Sequence, residues 1–161
     1  MRKFALLACA FTWVLPAFAG PQEDALSAFD KFFPAFITEN HEQVAGLFAP
    51  DALFYGTVSA NLVTTAAGVR DYFTNALSAK NGSPKATPLE RTALVLSDDV
   101  VAVSGKWQVE RTVDGKTTTA GPFRATAVMQ RRGNQWLIAQ FHNSPTPQQP
   151  PSAAPATSPQ R

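Results

Sequence analysis

Val100-Val101-Ala102-Val103-Ser104-Gly105-Lys106-Trp107-Gln108-Val109-Glu110 is the stretch whose reading decides the fold. Val101, Val103, Gly105, Trp107 and Val109 share one parity, and Ala102, Ser104, Lys106, Gln108 and Glu110 share the other. A strand here has one apolar and one mostly polar face. Comparable runs flank it: Leu89 to Leu96 before a Ser97-Asp98-Asp99 turn, Thr117 to Arg131 after Asp114-Gly115, and Trp136 to Asn143 after Arg132-Gly133-Asn134. Four long strands in succession predict an antiparallel meander. Gly121-Pro122 interrupts the third of them and predicts a bulge or bend where a curved sheet opens.

Upstream the apolar period becomes helical. Leu26, Phe29, Phe33, Phe36 and Ile37 follow three-and-four spacing behind Glu23 and Asp24, whose charges suit a helix N-terminus, and Pro34 predicts a kink within this first helix. Asn40 with Gln43 resembles a capping box for a short second helix with Val44, Leu47 and Phe48 inward, ended by Ala49-Pro50-Asp51. Ala52 to Thr57 is a short strand candidate. Val69, Tyr72, Phe73, Ala76 and Leu77 outline an amphipathic third helix, ended by Asn81-Gly82-Ser83-Pro84. The whole is an α+β fold, a cone-shaped, strongly curved antiparallel sheet with three N-terminal helices packed in its concave face. The open end of such a cone is the natural place for a pocket.

Both ends of the 161-residue chain differ in composition from this middle. Arg2 and Lys3 precede an apolar run from Phe4 to Leu15, a Pro16 break, and Ala17-Phe18-Ala19, the pattern of a signal peptide of residues 1–19 cleaved after Ala19. The run is shorter than the ~20 apolar residues of a bilayer span, so a stable membrane anchor is not expected. A lipoprotein reading through Leu6-Leu7-Ala8-Cys9 leaves almost no hydrophobic region ahead of the cysteine. The expectation is a periplasmic or secreted protein with its domain over residues 20–144 and a disordered, Pro-rich tail over 145–161. Cys9, the one cysteine, lies in the removed segment, so the mature chain has no thiol chemistry. Removing Arg2 and Lys3 from 14 basic residues leaves 12 against 12 acidic ones, a balance that gives nucleic acid no basic surface.

The last hairpin carries a resemblance. Arg131-Arg132-Gly133-Asn134-Gln135-Trp136-Leu137-Ile138-Ala139-Gln140-Phe141-His142-Asn143-Ser144, with Arg124-Ala125-Thr126 before it, is similar to the end of the calcium/calmodulin-dependent kinase II association domain and its bacterial SgcJ/EcaC relatives. These belong to the SnoaL-like branch of the nuclear transport factor two-like superfamily, with ketosteroid isomerase and scytalone dehydratase. The resemblance implies a cystatin-like roll, a ligand pocket and a homodimer formed through the sheet face. One fold hosts many functions, so it does not fix the chemistry.

The catalytic residues are unknown from sequence, and the candidates are His142, Tyr55 and Asp51. His142 ends a strand where the resemblance places a pocket rim. It could act as acid, base or donor, or simply cap the sheet edge. Tyr55 and Asp51 are similar to the donor and base of ketosteroid isomerase, although Ser104, Lys106, Gln108 and Thr126 stand where that chemistry needs a second acid. Tyr55, Trp107, Arg124 and His142 are the candidate ligand-binding residues. Arg124 either points into the cone toward a ligand carboxylate or lies exposed on its strand. Trp107 and Trp136 line a cavity or serve the core or an interface, and Phe32 is placed to close the mouth of the cone. His41 reads as a surface residue. Two histidines and no mature cysteine offer no standard metal set, and no Gly-x-Gly-x-x-Gly speaks for a dinucleotide, so no metal or cofactor is expected. The reading is a binding protein for a small, largely apolar molecule. Its rivals are a cofactor-free isomerase, dehydratase or cyclase, an oxidoreductase by family label, and a pure oligomerisation module.

Overall fold

The computed structural model describes residues 20–147, so the expected signal peptide over 1–19 and most of the Pro-rich tail lie outside the described residues. Helices α1 (Pro21–Asp30), α2 (Phe32–Ile37) and α3 (His41–Ala45) precede strand β1 (Phe48–Tyr55). Helix α4 (Ala66–Ala76) and a 3-10 turn (Ala79–Asn81) lead to β2 (Ser83–Ser97), β3 (Val100–Val113), β4 (Lys116–Arg132) and β5 (Gln135–Pro145). The sheet order is β1-β5-β4-β3-β2. The four long strands form the antiparallel meander, and β1 joins it parallel to β5. This is the curved α+β architecture expected, with the helices on one face.

Four helices stand where three were expected, because the first is broken. The break falls at Lys31, three residues before the proline held responsible for a kink. Pro34 thereby sits in the first turn of α2, where its missing N–H has no partner to lose. The break lets Phe29 approach the core from α1 while Phe32, Phe33 and Phe36 enter it from α2. Asn40 caps α3 by accepting from the Gln43 N–H at 2.9 Å, and Thr65 caps α4 by accepting from the Gly68 N–H at 3.1 Å.

Prolines also misled the strand boundaries. Ala49-Pro50-Asp51 does not end a helix. It lies within β1, whose register with β5 is interrupted between Phe48 and Leu53. Likewise β2 begins at Ser83 instead of Leu89 and carries Pro84 and Pro88. Both strands are sheet edges, where a residue without an N–H costs no ladder bond on its open side. At Gly121-Pro122 the expected bulge is present: Trp107 pairs with Phe123 and Val109 with Ala120, so two residues of β4 oppose one of β3. Gly121 has a φ of 109°, a conformation that disfavours any side chain.

The core lies between the helices and the inner sheet face. Across the strands one inner row runs Phe54, Phe141, Ala127 and Val103, each at most 3% exposed. Phe54→Ala is expected to cost about 3–5 kcal/mol of stability, whereas Pro34→Ala should change it by less than about 1 kcal/mol. Chemical denaturation of both variants checks this, and a large gain at position 34 would place the proline inside a continuous helix after all.

Candidate functional site

The aromatic core does not fill the cone. Beyond it lies a cavity of about 350 Å³ walled by Phe32 and Phe36 of α2, Tyr72, Phe73 and Ala76 of α4, Phe54 of β1, and Trp107, Val109, Phe123 and Phe141 of the sheet. The volume is in the range of small-molecule sites. Residues on either side of the β3–β4 bulge face it, so the bulge sets the angle at which that wall opens. Gly56 shapes another wall: a Cβ there would stand 2.2 Å from the Tyr72 ring, and only glycine lets that ring pack against the end of β1.

Polar groups enter this apolar space at few points. Trp107 donates its Nε1–H to Asn143 Oδ1 at 2.8 Å, a buried bond between β3 and β5. An indole nitrogen can only donate, so the Asn143 amide must turn its oxygen toward it and its Nδ2 outward. That Nδ2 donates to Thr57 Oγ1 in the turn after β1. At the end of β3, Arg111 donates from Nη2 to the Ala76 carbonyl at 3.0 Å and from Nη1 to the Gly82 carbonyl at 3.3 Å. Its Cζ stands 5.7 Å from the Phe36 ring centre. Desolvation lowers the Arg111 pKa from its ordinary value and the charge of Glu39 opposes this, so the guanidinium stays charged at any physiological pH.

Of the residues singled out by sequence, Trp107 lines the cavity, and Phe32 lies at its base rather than closing its mouth. Tyr55, Arg124 and His142 stand elsewhere. Phe54, Phe141 and Asn143 turn inward, so by alternation Tyr55 and His142 turn outward, and the two pair across β1 and β5 with rings 6.0 Å apart. Arg124 is exposed on the same outer face, 3.5 Å from Ser144 Oγ. The placement of Arg124 in the cone is thereby corrected, because Phe123 and Ala125 occupy the inner parity. Asp51 is exposed on the edge strand, paired with Arg132 at 2.7 Å. That hydrogen bond lowers its pKa from the ordinary carboxylate value, the opposite of what a base working near neutrality needs. Trp136 is half-buried against the core, and His41 is on the surface beside Glu42.

The sequence reading missed Asn143 as a buried group and missed Arg111 altogether. Both had a signal. Arg111 continues the apolar parity of Val101, Val103, Trp107 and Val109, and Asn143 continues that of Phe141. A polar residue extending a buried parity at the end of a strand marks a pocket wall. Among the described residues lining the cavity there is no Asp, Glu or His. No group of three or more metal-capable side chains occurs among the described residues, and no helix among them is long and apolar enough to cross a membrane.

Comparison with known proteins bears on the same region. The family model described as a SnoaL-like domain matches residues 25–148. A Xanthomonas campestris structure described as a calcium/calmodulin dependent protein kinase II association domain is 29% identical, with a TM-score of 0.71 over 88% of this chain and 99% of that one. An NTF2-like protein of unknown function from Pseudomonas putida KT2440 aligns at 13% identity and a TM-score of 0.65, over 76% of this chain and 84% of that one. An NTF2-like protein with a cystatin-like fold from Novosphingobium aromaticivorans aligns at 16% identity and a TM-score of 0.64, over 76% and 79% of the two chains. The last two show the fold alone. No curated protein sequence matches.

Asn143→Ala leaves the buried Trp107 N–H without an acceptor and should cost about 1–3 kcal/mol. Denaturant titration followed by tryptophan emission measures it, and an unchanged midpoint would mean that water replaces the amide.

Proposed function

We propose, from the premise that this chain belongs to the SnoaL-like domain family of the nuclear transport factor two-like superfamily, that it binds a small, largely apolar molecule in the aromatic cavity. The superfamily includes both ligand-binding proteins and enzymes. The observation that carries the binding reading is the cavity itself, about 350 Å³ of mainly aromatic wall with its few polar groups held in fixed hydrogen bonds. Fixed polar groups in an apolar pocket orient a ligand at little entropic cost.

Acid/base turnover needs a proton-transfer group within reach of the ligand. The residues that would supply it, Asp51, Tyr55 and His142, sit on the outer face or the sheet edge, and the cavity lining offers only Tyr72 and Arg111 as ionisable groups. This weighs for binding and against an isomerase or dehydratase.

The proposal extends to export and assembly. The N-terminal pattern supports cleavage after Ala19 and a periplasmic or secreted location. The outer face of the sheet supports a homodimer: Leu94, Ala102 and Val128 form one cross-strand row there, and Leu94 is 65% exposed. An uncovered apolar row on a five-stranded sheet favours a second copy over solvent.

Native mass spectrometry of the protein purified from the cells that make it tests all three parts. The expected mass is that of two chains beginning at Gly20 with a small organic adduct. Ala76→Phe, which fills the cavity from α4, should remove the adduct, and Val128→Glu should yield monomers. A protein without adduct, or one whose adduct survives Ala76→Phe, would sink the binding reading.

A further inference from the structure

Arg111 is the one charged side chain among the described residues that line the cavity. It takes part in none of the ion pairs among those residues, although Glu39 lies near enough to favour its charge. A guanidinium has five N–H donors. Two of Arg111's are held by the carbonyls of Ala76 and Gly82, neutral acceptors that fix its plane without neutralising it, and Phe36 supports one face. The remaining donors belong to a half-buried cation whose neighbours in the cavity are aromatic rings. Glu39 acts on this cation without an ion-pair contact, so an anion in direct contact within the cavity would be favoured.

The second polar element has the same sense. Trp107 gives its proton to Asn143 and Asn143 gives one to Thr57, so the Thr57 hydroxyl, having accepted, retains its own proton to give. Thr57 lines the same cavity. Cation and hydroxyl both offer donors, and the ligand that completes them brings acceptors.

We infer that the cavity binds a monocarboxylic acid with an aromatic or long apolar body, its carboxylate on the guanidinium of Arg111 and its hydrocarbon part among Phe32, Phe54, Phe73 and Phe141. The planar fork of Arg111 matches a carboxylate, and a single charge among otherwise uncharged lining residues matches a single negative charge. The inference rests on the cavity being a ligand site, and it names the chemical class that the site selects.

Isothermal titration calorimetry with matched pairs tests it: 2-naphthoic, 4-phenylbutanoic and decanoic acids, each against its primary amide. For at least one pair the acid should bind the wild-type chain about tenfold or more tightly than the amide. Arg111→Met should bring acid and amide to within about twofold while the amide keeps its affinity, and Arg111→Lys should keep part of the preference. Amides that bind as well as their acids, or a preference unmoved in Arg111→Met, would overturn the inference and leave the cavity reading intact. If neither acids nor amides bind, the cavity reading falls with it. The acid-to-amide ratio of the wild type decides the matter even where Arg111→Met fails to fold.

Discussion

The ring of Phe32 holds the helical layer to the sheet. It is 3% exposed, and its centre lies between 5.6 and 6.0 Å from those of Phe33, Phe36, Phe73, Trp107 and Phe141, which come from α2, α4, β3 and β5. Most of these contacts are edge-on, the arrangement in which ring quadrupoles attract. A residue can reach four elements at once only if its helix enters the cone at an angle. The break at Lys31 provides that angle, and the proline three residues on is what makes a fresh helix start inexpensive there. The cavity then begins where the cluster runs out, walled farther along by the small residues Gly56, Ala76 and Ala120.

The Trp107–Asn143–Thr57 chain is the polar counterpart of that cluster. Each buried polar atom in it has a partner, so it fixes β3, β5 and the turn after β1 relative to one another without leaving an unpaired group in an apolar setting. It also fixes direction, since the donor-only indole dictates which way the amide faces. The direction of this hydrogen-bond chain is thus set by a residue whose ring also walls the cavity.

The fold was legible because its signals are long and redundant. The alternation of β3 runs over 14 residues, and β2 and β4 on either side of it are longer still. Boundaries were less legible because proline has two meanings: it ends a helix or a central strand, but at Pro34, Pro50, Pro84 and Pro88 the tertiary position removes the penalty. The site was least legible, for a different reason. Alternation shows that His142 and Phe141 face opposite ways, yet nothing local says which face is covered by helices. His142, Tyr55 and Arg124 were favoured for the chemistry of their side chains, and the inner parity belongs instead to Asn143 and Arg111. A bulge further shifts the parity along β4 between Ala120 and Phe123, so counting along that strand fails where the pocket opens.

The parallel pairing of β1 with β5 joins the first strand of the domain to the last. Phe54 stacks on Phe141 with ring planes 10° apart, and its two rings come from positions 87 residues apart in the chain. A growing chain therefore cannot close its core until its final hairpin exists, and the aromatic helices must wait as uncovered surface in the meantime. The native core thus contains a long-range closure, with its loop-closure entropy, in addition to the local contacts of the helices. Without its last strand the sheet would lose the one neighbour that β1 has, and Phe54 the ring that joins it to Ala127.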